Sequence, residues 1–217
     1  MSEDREQIGL PPGSGRKLIL GLATFTLVGF SFIGLVIIHF FVDQDPLEIL
    51  KGHMTFGIQS IVGVVFGLLA AILAHFIISR KWMEEVQAKY AGLIGPLKLG
   101  FWEILYISIC AGIGEEVLFR GAIQPLLGVI FTAVVFVALH GYLNPKDARI
   151  SVYGFFMVLV MIAMGVICDQ IGIVSSMIAH TVIDIYLLLV LSSGIGKRQP
   201  DEDPKVEHTT ISEEDEN

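Results

Sequence analysis

Long apolar runs dominate the chain. Residues 18–42 and 55–79 are each 25 residues without Asp, Glu, Lys or Arg. About 20 apolar residues cross a bilayer as a helix. Neither run alternates with period two, and only helices or closed barrels satisfy their backbone hydrogen bonds in lipid. Four further runs follow at 99–121, 124–143, 150–168 and 171–193. The pattern predicts an all-α, polytopic transmembrane helical bundle of about six spans. Between the second and third runs, Arg80, Lys81, Glu84, Glu85 and Lys89 interleave with Trp82, Met83, Val86 and Tyr90. This amphipathic stretch, 80–98, is expected to lie in the interface as a connecting helix. An ordinary cytoplasmic loop is the alternative.

Composition agrees with that pattern. Of 217 residues, 53% are hydrophobic and 17% charged, against about 25% charged in soluble domains. The organisation read from it is a polar N-terminal segment at 1–17, a transmembrane domain at 18–193, and a tail at 194–217. Eight acids and one lysine fall between Asp201 and Glu216, which predicts a solvated, disordered tail. The net charge of −8 therefore says little about partners. No basic stripe points to nucleic acid. Cys110 and Cys168 lie in apolar runs and read as buried, unpaired thiols. The first apolar run is too long for a signal-peptide core and is expected to remain as a span. With the N-terminus inside, twelve of the fourteen Lys and Arg residues fall on the cytoplasmic side, Lys51 and Arg120 being the exceptions. Both termini are thus expected to be cytoplasmic. The compact chain, without targeting signals, suits a prokaryotic plasma membrane.

Against this background, Glu115-Glu116-Val117-Leu118-Phe119-Arg120 stands out. A charge in hydrocarbon costs from about 2.5 to above 10 kcal/mol. Such groups persist when they pair, face a cavity or do chemistry. Glu116 and Arg120 are four apart and share a helix face. Glu115 is rotated about 100° from Glu116 and points elsewhere. This suggests a supporting ion pair, Glu116–Arg120, with Glu115 left for chemistry; a buried network that only holds helices together is the bland alternative. Burial and a nearby arginine push a carboxylate's acidity in opposite directions, and a glutamate balanced between them can act as a general base.

Two histidines extend the set. His140 follows an apolar run and by itself reads as an interfacial or capping residue. His180 and Asp184 share one face of the last run, where Asp184 could orient the imidazole, ligate a metal with it or help hold an oxyanion partner. A polar pair gluing two helices is the alternative. Glu115 and His140 would lie about 37 Å apart on one straight helix, so the chain must turn between them. Gly121 and Pro125 place that turn at about 121–125. His39 and His75 near span ends, Glu103 near the interface and Asp169 between spans read as interfacial or solvated. Gly112 and Gly114 would let a neighbouring helix or a substrate approach Glu115.

Glu115-Glu116-x-x-x-Arg120, Phe136-x-x-x-His140 and His180-x-x-x-Asp184, in this order, resemble the CPBP family of CAAX prenyl-protein endopeptidases and bacteriocin-processing or immunity (Abi) proteins. The resemblance covers about residues 99–193. It implies intramembrane hydrolysis of a peptide bond in a membrane-anchored or prenylated, CAAX-like substrate. Glu115 and His140 would activate a water. His180 and Asp184 would stabilise the oxyanion or complete the polar cavity, and Glu116 and Arg120 would support the site. The prenyl-protein endopeptidases typically carry Asn where this chain has Asp184. If a divalent metal such as zinc takes part, Glu115, His140, His180 and Asp184 are its ligand set. The chain lacks the His-Glu-x-x-His helix of typical zinc proteases, and the preferred expectation is a water activated by glutamate without a cofactor. Ser175 and Ser176 are not expected to act as nucleophiles. Two other classes remain: a non-catalytic scaffold or immunity protein of the same fold, and a small transporter or proton pathway.

Overall fold

The computed structural model describes residues 14–42 and 44–192. The acidic tail and most of the polar N-terminal segment lie outside the described residues. Within them the chain is a bundle of helices with no strand. We number these α1 (Ser14–Phe41), α2 (Pro46–Lys51), α3 (Phe56–Ile78), α4 (Lys81–Leu97), α5 (Phe101–Leu127), α6 (Val129–Leu139), α7 (Ala148–Gln170) and α8 (Ile173–Ser192). Four of them, α1, α3, α7 and α8, are long and apolar enough to cross a membrane. The pair α4 and α5, bent by 116°, supplies a fifth candidate span. The chain is thus an integral membrane, polytopic helical bundle.

The third and fourth expected spans form with unequal lengths. The third expected span, 99–121, runs on to Leu127, and the fourth is reduced to the 11 residues of α6. The turn between them falls at Gly128, not at 121–125. Two local features move it. A π-helical segment, Val117–Ile123, carries the helix past Gly121. Pro125 then sits in the first turn of the next helical stretch, where its missing N–H costs nothing. Gly128 turns the chain with φ 78° and ψ 163°, a left-handed-side conformation that favours glycine. At 1.5 Å per residue α6 is about 16 Å long, half the thickness of a bilayer's hydrocarbon.

That short helix sets depth. Glu115 lies 13 residues before Gly128 and His140 lies 12 after it. The two arms are about 20 and 18 Å long, so both side chains end at matched distances from the turn.

Small residues then let the other helices close in. A Cβ on Gly63 or Gly67 of α3 would lie 2.6 Å from the Ser175 carbonyl oxygen or 2.7 Å from that of Ala179, both on α8. Gly112 of α5 meets α8 at Met177 and Thr181, and Gly114 meets α1 at Thr26 and Leu27. The close approach expected beside Glu115 is therefore made by helices on two sides. Gln59, buried in α3, accepts from the Val174 N–H at 3.2 Å. Its amide also donates to the carbonyls of Lys51 (2.8 Å) and Met54 (2.9 Å), fixing the start of α8 against the α2–α3 loop. Burial is uneven: half of the most apolar window of α7 is buried but only 17% of that of α1, which presents most of its surface to lipid.

The segment at 80–98 forms the helix α4, with Met83 and Val86 buried. It connects α3 to α5 as a helix and not as a loop, bent by 116° from α5.

Candidate active site

Glu115 and Glu116 end the regular part of α5, immediately before its π-helical segment. π-bulges are rare and are frequent at functional sites. Gly34 of α1 lies against the bulge: a Cβ there would be 3.0 Å from Val117 and 3.1 Å from the Leu118 Cα. The expected ion pair forms across the first turn of the bulge. Arg120 Nε lies 3.3 Å from Glu116 Oε2, and both side chains are fully buried. Arg120 Nη2 also donates to the Met161 carbonyl (3.4 Å) and contacts its sulfur (3.2 Å) on α7. The guanidinium lies 5.7 Å from the centre of the Phe136 ring.

Glu116 has a second partner that its position in the sequence does not announce. The Nδ1 of His180 donates to Glu116 Oε1 at 2.9 Å. Asp184, for which orienting this imidazole was one of three open roles, is on the other side of the ring, with Oδ2 3.6 Å from Nε2. Glu116, not Asp184, makes the hydrogen bond that fixes the ring, because the two helices α5 and α8 touch along Gly112. A contact across 64 residues has no local periodicity to reveal it.

Glu115 points away from this pair, as its rotation requires. Its Oε2 lies 3.6 Å from His140 Nε2 and 3.8 Å from His180 Nε2. Among the described residues this oxygen has no hydrogen-bond partner although it is buried. His140 is held from behind: Nδ1 donates to the carbonyl of Phe136, one turn earlier, at 2.8 Å. A carbonyl can only accept, so the neutral ring carries its proton on Nδ1 and turns a lone pair on Nε2 toward Glu115. The Phe136 ring stacks on His140 at 4.4 Å and meets His180 edge-on at 5.8 Å. Glu115, Glu116, Arg120, His140, His180 and Asp184 thus form one cluster. His140 and Asp184 are its open side, with side chains 35% and 29% exposed, whereas His180 is 7% exposed.

The other polar groups lie elsewhere. His75 pairs with the Tyr186 hydroxyl at 2.9 Å, and His39 packs edge-on against Phe40. Glu103 caps its own helix at Gly100 and pairs with Arg16. Asp169, expected to be solvated, is exposed and also accepts from the Gln124 amide at 2.6 Å. The hydroxyls of Ser175 and Ser176 donate to the carbonyls of Gly172 and Met164, so neither is poised as a nucleophile. Cys110 and Cys168 are free thiols. An apolar recess around Leu127, Val129, Phe131 and Val134 lies at the Gly128 turn and includes no residue of the cluster. Tyr142, whose ring runs nearly parallel to His140 at 6.1 Å, was not foreseen; only its position two residues beyond the histidine hinted at it.

The donors Glu115, His140, His180 and Asp184 are of a kind that binds zinc. Among the described residues no group of three or more His, Cys, Asp or Glu is placed to hold an ion.

Residues 97–186, which contain the whole cluster, match the family model described as type II CAAX prenyl endopeptidase Rce1-like. Comparison with curated proteins gives no match, and neither does comparison with solved structures. The matched segment carries all three motifs whose order suggested CAAX endopeptidases, and it lies in a membrane-spanning bundle: this part of the chain is similar to the Rce1-like type II CAAX prenyl endopeptidases.

Proposed function

We propose that the protein is an intramembrane endopeptidase that hydrolyses a peptide bond of a membrane-anchored or prenylated substrate with a water activated by Glu115 and His140. The observation that carries this reading is the unpartnered Glu115 Oε2 facing two imidazole Nε2 atoms at 3.6 and 3.8 Å. A water seated there can give one proton toward the Glu115 carboxylate while His140 Nε2 orients it. Its oxygen adds to the scissile carbonyl carbon, and the proton held by Glu115 then passes to the amide nitrogen as the C–N bond breaks. Atoms and charge balance without a cofactor. With a carboxylate beyond each ring nitrogen, His180 in its doubly protonated form donates from Nε2 to the oxyanion. Asp184 completes that side of the cavity. Glu116 and Arg120 hold His180 in place from the buried side.

The distribution of Lys and Arg supports cytoplasmic termini and a cytoplasmic position for α4. A prokaryotic plasma membrane is the setting we assign. The test is cleavage of a panel of membrane-anchored peptides, farnesylated CAAX peptides among them, by the purified protein, with Glu115→Ala as control and a chelator in parallel. Cleavage that depends on Glu115 and survives chelation is expected. Loss with chelator would transfer the chemistry to a metal. No cleavage anywhere in the panel would favour a non-catalytic scaffold or immunity protein.

A further inference from the structure

His140 is the most exposed member of the cluster, yet its Nε2 has to be aimed at Glu115. The ring's hydrogen bond to the Phe136 carbonyl fixes where Nδ1 points but leaves the plane of the ring to be set by its neighbours. Phe136 supplies one of them, 25° from parallel. The other is Tyr142, only 9° from parallel.

The chain is built to bring Tyr142 there. Gly141 has φ +75°, a conformation that side chains rarely adopt, and it turns the chain back at the end of α6. The Tyr142 N–H then donates to the Val137 carbonyl at 3.3 Å, inside the preceding helix. On α7, Gly154 leaves room for the Tyr142 carbonyl; a Cβ at that position would overlap it. The phenol ring is braced in turn. Tyr153 of α7 meets it edge-on at 5.4 Å, and Tyr90 of α4 lies 5.9 Å away at 47°. The ring beside His140 is thus anchored to two helices outside the cluster, α4 and α7.

We infer that Tyr142 is a positioning residue that sets the plane of the His140 imidazole through ring packing, and that Tyr90 and Tyr153 hold it for that task. This rests on the reading of Glu115 and His140 as the water-activating pair. The contribution comes from the flat face of the ring and not from the phenol oxygen. Stacked and edge-to-face rings at 4.5–7 Å attract beyond their burial, and a misplacement of about 1 Å in a reacting group can cost up to about 100-fold in rate.

The test compares Tyr142→Phe, Tyr142→Leu and Tyr142→Ala in the full chain, with retained helicity and a monodisperse elution profile as the condition for comparison. For peptide cleavage, Phe is expected to keep the wild-type kcat. Leu and Ala are expected to lower kcat about 10- to 100-fold with little change in KM. A second readout needs no substrate: the rate at which diethyl pyrocarbonate acylates His140, followed by mass spectrometry against exposed His39 and His53 in the same chain. Leu and Ala should raise that rate severalfold and Phe should not. Wild-type kcat and wild-type His140 reactivity in Tyr142→Ala would overturn the inference. So would a Phe variant as damaged as Ala, which would give the role to the hydroxyl. If the wild type cleaves nothing, or if Glu115→Ala cleaves normally, the proteolytic reading fails, and histidine reactivity alone decides whether Tyr142 positions His140.

Discussion

Two ion pairs in this protein use the same side chains in opposite surroundings. Glu116–Arg120 has both side chains at 0% exposure, with His180 as a third member. Glu85–Arg149 joins α4 to the start of α7, with side chains 81% and 43% exposed. The buried pair sits where an unpaired charge is expensive, so every member depends on the others. The exposed pair loses little when broken, because water replaces either partner. What sets the two apart is burial together with an unpartnered neighbour: beside Glu116 stands Glu115, with a buried oxygen and no donor.

The strongest way to break this contrast is to remove Glu115. Glu115→Ala is expected to reduce kcat by about 100-fold or more, the usual worth of a general base, while the protein stays folded because Glu115 holds no helix in place. His140→Ala and His180→Ala should each remove most of the activity in the same cleavage assay. Full activity in any of the three would detach that residue from the chemistry.

The buried pair should behave in the opposite sense, in stability first. Glu116→Ala or Arg120→Ala leaves one charge buried without its counterpart, which typically costs about 3–5 kcal/mol. Denaturation in detergent micelles would measure it. Replacing both, Glu116→Leu with Arg120→Met, should recover much of that loss, since apolar residues of similar volume often substitute for a buried pair. It should not recover activity, because His180 would then lack its Nδ1 acceptor. A double variant as unstable as the single ones would show that the pair does more than satisfy itself.

How much of this could be read from the sequence follows the range of the interactions. Helix existence and the Glu116–Arg120 pair are local, set by apolar run length and by a spacing of four, and both were legible. The cluster of Glu115, His140, His180 and Asp184 was legible through the order of three motifs. The turn was misplaced because Gly121 and Pro125 look like punctuation, whereas the π-helical segment absorbs the first and a helix N-terminus tolerates the second. The hydrogen bond from His180 to Glu116 was not legible, because i,i+4 spacing on α8 is visible and a contact between α5 and α8 is not. The bond that Gln124 makes to the exposed Asp169 from 45 residues away was not legible for the same reason.

Asp184 offers a middle case, partly exposed and on the open side of His180. Asp184→Asn keeps the shape and an acceptor oxygen while removing a charge. It is expected to retain activity within about tenfold of wild type, because His180 is oriented by Glu116 and not by this residue. Complete loss with normal folding would mean that the negative charge itself is required, and would point back to metal ligation.

The smallest effect should come from the exposed pair. The hydrogen bond from Arg149, and then its charge, hold the Glu85 carboxyl below the usual glutamate range. A depressed folded-state value means that the ionised form favours the docked position of α4. That contribution is fully present above the pKa of an unperturbed glutamate, about 4.3, and is lost as the pH falls through the lower folded value. At neutral pH Glu85→Gln should therefore shift the melting temperature by no more than about a degree or two, and high salt should shrink even that difference. If α4 only rests on the bundle, peptide cleavage by this variant will match the wild type. Because Tyr90 on the same helix lies against Tyr142, a fall in kcat without a fall in stability would instead mean that the exposed pair helps hold the ring beside His140. The contrast between a buried pair for the site and an exposed pair for the rim would then give way to a single connected network.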